Sequence, residues 1–335
     1  MAGPPTALPA RGLENSLVPP CPTRRSSRRA WASCLAAAMF ALLLLPGCSI
    51  KQYALKGVAN SLTEGPDVFG TDEDPELIRD ALPFGLKTME SLLEALPTHE
   101  GLLVSLCKGY TAYTYAYVQS EGDLLVNTDY ARATALHERA RKLYLRAQRY
   151  GLRALALRHK GIADSLALFP DRAASRITAR ELPALYWTAA SWGSAISLGK
   201  DRPDMLADLP AIRALVQRGL QLDEKFEMGS FHEAAILLDA LPEVMGGSVK
   251  SARDHFQRAV AISGDKRASP YMTLAQSVSV MKQDRAEFRR LLGRVLEFNP
   301  DADPSQRLAT IVMQRKAKSL LEHQDEFFID EAPTP

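Results

Sequence analysis

His232-Glu233 opens like the helical motif of a zinc protease. That motif needs a second His four residues after the first, so that both imidazoles leave one helix face toward the metal. Ile236 stands there instead. Metal-dependent hydrolysis is therefore not expected, and His232 is assigned to local hydrogen bonds or to an inner surface that binds a ligand or partner. Asp67, Asp72, Glu73 and Asp74 form an acidic cluster. Calcium needs six to eight oxygens, and its helical-loop sites have Asp or Asn at alternate positions around a central Gly. That spacing is absent, and Asp74-Pro75-Glu76 reads as a helix start: Asp caps, Pro takes the first turn, and Glu meets the positive end of the dipole. No Walker loop, G-x-S-x-G elbow, CxxC pair or Gly-rich dinucleotide turn is present. No catalytic set, metal or cofactor is expected.

Tyr110, Tyr113 and Tyr117 fall at i, i+3 and i+7, hence on one helix face, with Tyr115 pointing elsewhere. Tyrosine offers an apolar body and a polar tip, which suits an amphipathic ligand. Packing between helices is the default reading and a binding groove the alternative. Trp187 and Trp192 are read the same way, core first and groove second. In the basic run Arg139, Arg141, Lys142, Arg146, Arg149 and Arg153, residues 142, 146, 149 and 153 share a face. A solvated face is the default, a docking patch for an acidic partner or lipid headgroups the alternative.

The elements that must position these residues are helical. From Asp74 onward apolar residues recur at three- and four-residue spacing, and no run of alternating β-branched residues appears. An all-α fold is expected. Five segments share one shape, clearest in Ala252-x3-Phe256-x2-Ala259-Val260-x-Ile262-x-Gly264 and Phe288-x3-Leu292-x2-Val295-Leu296-x-Phe298-x-Pro300. The others pass through Ala147-x3-Gly151, Ile212-x3-Val216-x2-Gly219 and Met89-x2-Leu92. These segments resemble the second helix of a tetratricopeptide repeat, where small residues let paired helices approach and larger ones fill the groove to the next pair. Helix stops fall at Pro97, His159, Glu224, Gly264 and Pro300. First helices are placed at residues 101–118, 182–198, 230–241 and 270–281, with insertions near residues 119–130 and before Leu182. A capping helix spans about residues 304–321, with Asp303 as its N-cap. A generic helical bundle is the competing reading.

The N-terminus has the parts of an export signal. Arg24, Arg25, Arg28 and Arg29 precede an apolar run from Leu35 to Leu45, and Gly47 precedes Cys48. The run is too short to span a bilayer unaided. Leu45-Pro46-Gly47-Cys48 resembles the lipobox of bacterial lipoproteins, so cleavage before Cys48 and lipid (palmitate) on that cysteine are expected. A retained anchor helix and a plain signal peptide are the alternatives. Residues 1–47 then form the signal, 48–70 a lipidated lead, 71–325 the helical domain and 326–335 a tail. Loss of residues 1–47 removes five arginines and one glutamate, leaving 36 basic against 38 acidic residues. That balance gives no footprint for nucleic acid. Cys21 and Cys34 leave with the signal, so Cys107 has no partner. It occupies a slot that wants a small residue, and a buried, inert thiol is expected.

Several stretches, in order, are similar to the T-component (TatT) family of TRAP transporters. They are the lipobox with a short helix after it, Asp72 to Leu77, Ala81 to Lys87, Glu90 to Leu93, Arg139 to Tyr144 with Tyr150 to Leu152, Ala189 to Gly193, Gly229 to Glu233, Ala252 to Phe256 and Lys318 to Leu321. Cys107 and Lys108 depart from the family's small or polar residues. The resemblance implies an accessory periplasmic lipoprotein that acts beside the solute-binding component of a tripartite ATP-independent transporter. It also implies self-association into a homo-oligomer and the handling of a hydrophobic or organic-acid ligand. A repeat lipoprotein of outer-membrane or envelope assembly is the alternative. Ser49 in place of a retaining aspartate favours the outer membrane over the inner.

Overall fold

Asp74 begins the helical body by accepting hydrogen bonds from the backbone N–H of Glu76 and Leu77 at 3.0 and 3.1 Å. Pro75 follows in the first turn, where its missing N–H is no loss. The computed structural model describes residues 48–200 and 202–329. The lipobox residues Leu45, Pro46 and Gly47 lie outside the described residues. Those described are overwhelmingly helical and hold no strand. None of the described helices is long and apolar enough to cross a membrane.

Helix α1 spans Cys48–Glu64, α2 Pro75–Ala95 and α3 Glu100–Tyr113. A π-helical turn, Thr114–Gln119, carries α3 on into α4, Ser120–Leu125. Next come α5 (Tyr130–Ala156) and two short helices, α6 (Ile162–Leu168) and α7 (Pro170–Ala174). Then follow α8 (Leu182–Ser197), α9 (Pro203–Leu206), α10 (Leu209–Asp223), α11 (Ser230–Asp239) and α12 (Val249–Ser263). Helix α13 (Ser269–Leu274) runs into a second π-helical turn, Ala275–Ser279, before α14 (Arg285–Glu297) and α15 (Arg307–Glu322). The helix ends match the stops read from the sequence within a few residues. The expected insertions are α4 with its turn and the α6–α7 excursion.

Pairs α3/α5, α8/α10, α11/α12 and α13/α14 pack as hairpins, and α5 against α8 joins the first two. Close approach follows from the small residues of the repeated pattern. A Cβ on Gly151 would meet Thr188 Oγ1 at 2.2 Å, and one on Gly219 would meet the Phe231 ring at 2.1 Å. Real Cβ contacts are not that short, so both crossings require glycine.

Buried side chains form two apolar clusters. The first extends from Ala59 on α1 to Leu238 on α11, and the second from Ile236 on α11 to Phe328. Helix α11 serves both. Before it, Glu227, Met228 and Gly229 take left-handed backbone in succession, with φ of 42°, 58° and 92°. Asp303 accepts from Ser305 N at 3.0 Å and so caps a 3-10 turn (Pro304–Gln306), with α15 starting just after it. Helix α15 covers α14 and also reaches back to α2.

Candidate functional site

Helix α3 starts at His99, whose ring accepts from Leu102 N at 3.1 Å and whose Nε2 lies 2.8 Å from Asn60 Oδ1. That start turns Leu102, Leu103, Leu106 and Cys107 into the core. Cys107 is fully buried, and burial pushes its thiol up to about 12. Such a thiol supplies no thiolate near neutral pH.

One turn on, Tyr110 is 4% exposed and stacks on Tyr150 of α5, with ring centroids 6.1 Å apart. Both phenols donate to one oxygen of Glu90, at 2.8 and 2.7 Å. Lys87 also pairs with this carboxylate, and Arg146 lies 3.7 Å from it. Burial alone would raise the Glu90 pKa, but Lys87, Tyr150 and Tyr110 outweigh it and hold the carboxyl below its ordinary value. Tyr110 thus belongs to a polar knot joining α2, α3 and α5.

Tyr113 and Tyr117 part company with Tyr110. The π-helical turn adds a residue per turn after Tyr113. It rotates Tyr117 toward Tyr113, and the two rings meet at 5.7 Å. They wall a cleft of about 500 Å³ with Pro83 and Val118, and two basic and two acidic residues, Arg79, Arg139, Asp80 and Glu121, complete its lining. The Tyr117 hydroxyl is buried with no hydrogen-bond partner among the described residues. Burial, then the Glu76 charge, pushes its phenol up to about 12, so it stays a donor. Tyr115 faces elsewhere, with the Lys316 ammonium 4.7 Å from its ring centre.

Trp187 sits away from this cleft. It meets Tyr186 edge-on at 5.0 Å, and Tyr186 meets Phe231 at 5.3 Å. Lys108 lies 5.9 Å from the Trp187 ring centre and pairs with Asp67 at 3.0 Å. Trp192 is in the core, and its indole N–H donates to Asp208 at 3.0 Å.

His232 is 7% exposed and lies apart from the tyrosines, in a chain of charges across α10, α11 and α12. Its Nδ1 faces His255 Nδ1 at 2.7 Å, and its Nε2 faces Glu224 at 3.2 Å. His255 Nε2 lies 3.7 Å from Asp239. Arg258 holds Glu224, and Arg213 holds Asp239 at 3.2 Å. Among the described residues no group of three or more His, Cys, Asp or Glu is placed to hold a metal ion.

The structure therefore brings Tyr113 and Tyr117 together and disperses Tyr110, Trp187 and His232. The basic run is partly tied down: Arg141 binds Glu138, Arg146 reaches Tyr110, and Arg153 lies over Tyr150. Sequence reasoning missed Glu90, Tyr150 and His255. His255 had a signal, since Ala252 to Phe256 carries part of the family resemblance. Glu90 and Tyr150 had the same kind of signal, in Glu90 to Leu93 and Tyr150 to Leu152, but their meeting with Tyr110 comes only through folding.

These features define an all-α protein of stacked helix pairs. Over residues 71–328 the chain matches the family model of the TRAP transporter T-component, and it belongs to that family. It is accordingly an accessory component of a TRAP transporter, associated with other components of the system and with the cell envelope. The chain is also 27% identical, over 90% of its own length and 97% of the relative's, to a protein of Treponema pallidum (strain Nichols) described as uncharacterized.

Proposed function

We propose that this T-component is a lipid-anchored, periplasm-facing scaffold that binds the transporter's solute-binding component and takes an amphipathic anion into the Tyr113/Tyr117 cleft. The cleft carries the ligand reading. Its tyrosine walls suit an apolar body, the buried Tyr117 hydroxyl has no hydrogen-bond partner among the described residues, and Arg79 and Arg139 offer cations to a carboxylate beside the lining Asp80 and Glu121. The helix pairs supply extended surfaces of the kind that bind protein segments. Lipid on Cys48 would hold the scaffold at a membrane, the outer one on the reading of Ser49, and self-association would multiply its contacts.

Octanoate is a direct probe of the cleft. Calorimetry should show its binding to wild type, with roughly tenfold weaker binding in Arg79→Ala or Arg139→Ala. Equal affinity for octanamide would remove the anion reading, and no heat with either compound would remove the ligand. Co-purification with the solute-binding protein tests the scaffold, and complete membrane partition of Cys48→Ala would overturn the anchor.

A further inference from the structure

The two apolar clusters meet at α11, where Ala235 and Leu238 belong to the first and Ile236 to the second. The α10–α11 connection holds the three left-handed residues 227–229. Helix α15 is anchored in the second cluster through Ala317 and Leu320. Its contact with the N-terminal helices is of another kind. Arg315 pairs with Glu76, Lys316 Nζ lies 3.0 Å from Asp123, Arg307 donates to Thr71 O at 3.1 Å, and Leu308 N donates to Gly70 O at 3.2 Å. Each bond spans some two hundred positions of chain, and no shared buried apolar cluster lies behind them.

From this asymmetry we propose that α15 is an ionic latch: the body built on the second cluster pivots at α11, and parting of α15 from α2 opens the side of the molecule that holds the Tyr113/Tyr117 cleft. Packed apolar cores resist continuous deformation, so motion concentrates where cores are separate. The latch is strong enough to define a closed state. Burial pulls the Lys316 ammonium down, but Tyr115 and Asp123 outweigh it and keep it charged. It is also weak enough to release, because the exposed Arg315–Glu76 pair (55% and 64% exposed) is screened by salt. The latch lies beside the cleft. Tyr117 feels the charges of both Glu76 and Arg315, and Tyr115, in the same π-helical turn, carries Lys316 over its ring. Release needs no break in either apolar cluster.

The functional consequence, access to the cleft, rests on the ligand reading above, but the motion does not. Spin labels on Glu73→Cys and Lys318→Cys, both exposed positions, report the α2–α15 separation without any ligand, in a chain with Cys21, Cys34 and Cys48 replaced by alanine; Cys107 is buried and stays unlabelled. At low salt the parent should show one short distance. Arg315→Glu should raise a second, longer population roughly tenfold, as should about 1 M salt, and Glu76→Arg with Arg315→Glu should restore the short distance. A single unchanged distance in all variants at both salts would overturn the latch. So would a longer population that the double reversal fails to remove. A latch that opens in a protein that binds no octanoate would sink the ligand reading alone.

Discussion

The Nδ1 atoms of His232 and His255 face each other at 2.7 Å, and one proton fits between them. With one ring in its Nδ1–H tautomer and the other accepting, the bond forms while His232 is neutral. Burial pulls the His232 pKa down and the Glu224 hydrogen bond pulls it up, while the charge of His255 opposes a second proton; the net position lies below the ordinary 6.5. The unfolded chain therefore takes up this proton first as pH falls. Stability is complete above pH about 6.5 and is lost as pH falls toward the folded value. Thermal melts should show this decline, and His232→Gln should flatten it. A second loss follows below pH about 4.5, because Arg258, then His232, holds Glu224 down to about 2. Identical profiles for wild type and His232→Gln would remove the histidine pair from the account.

Gly219 to Ala is the smallest test of the helix-pair geometry. The new methyl meets a fully buried phenylalanine ring that has nowhere to go. Despite the better helix propensity of alanine, a loss of about 1–3 kcal/mol is expected in urea unfolding. Gly293→Ala, where a Cβ meets nothing within 4 Å, should instead be neutral or stabilising.

Glu90→Gln strips the charge from the polar knot but keeps an acceptor. Tyr110 and Tyr150 retain a partner, whereas Lys87 loses its ion pair and Arg146 keeps only the Tyr110 hydroxyl. A cost of about 1–2 kcal/mol is expected, and Glu90→Ala should cost more because it leaves both phenols unpaired. Equal stabilities for the two variants would show that the phenols do not depend on this carboxylate.

Tyr117→Phe should be neutral or stabilising by up to about 1 kcal/mol, since the buried hydroxyl has no partner among the described residues. The same change should weaken octanoate binding. A stability loss near that of a core truncation would mean that the hydroxyl is bonded in the free protein.

The helix pairs were legible because their cause is local. Periodicity, stop residues and small crossing residues such as Gly151 and Gly219 are written into short windows of sequence. Cys107 was legible too, since its slot in α3 admits a small side chain and nothing charged. The three tyrosines were half legible. Ideal α spacing puts Tyr117 near Tyr110, and nothing in Thr114–Gln119 announces the wider turn that moves Tyr117 toward Tyr113. The Glu90 knot and the His232–His255 pair depend on side chains 20 to 60 positions apart, so no window contains them. Asp303 shows the limit at an element boundary: the cap was read correctly as a cap, but a 3-10 turn comes between it and the helix.

The bond from Lys316 to Asp123 spans 193 positions, and this sets an order of events in time. A chain made from its N-terminus can pack its first cluster once Leu238 has emerged, whereas the second waits for Phe328. The closing contact is thus among the last to form, and its neighbour Arg315–Glu76 spans more still, 239 positions. A nascent molecule therefore passes through a stage in which its first core is complete and its tyrosine cleft still lacks the neighbouring C-terminal helix.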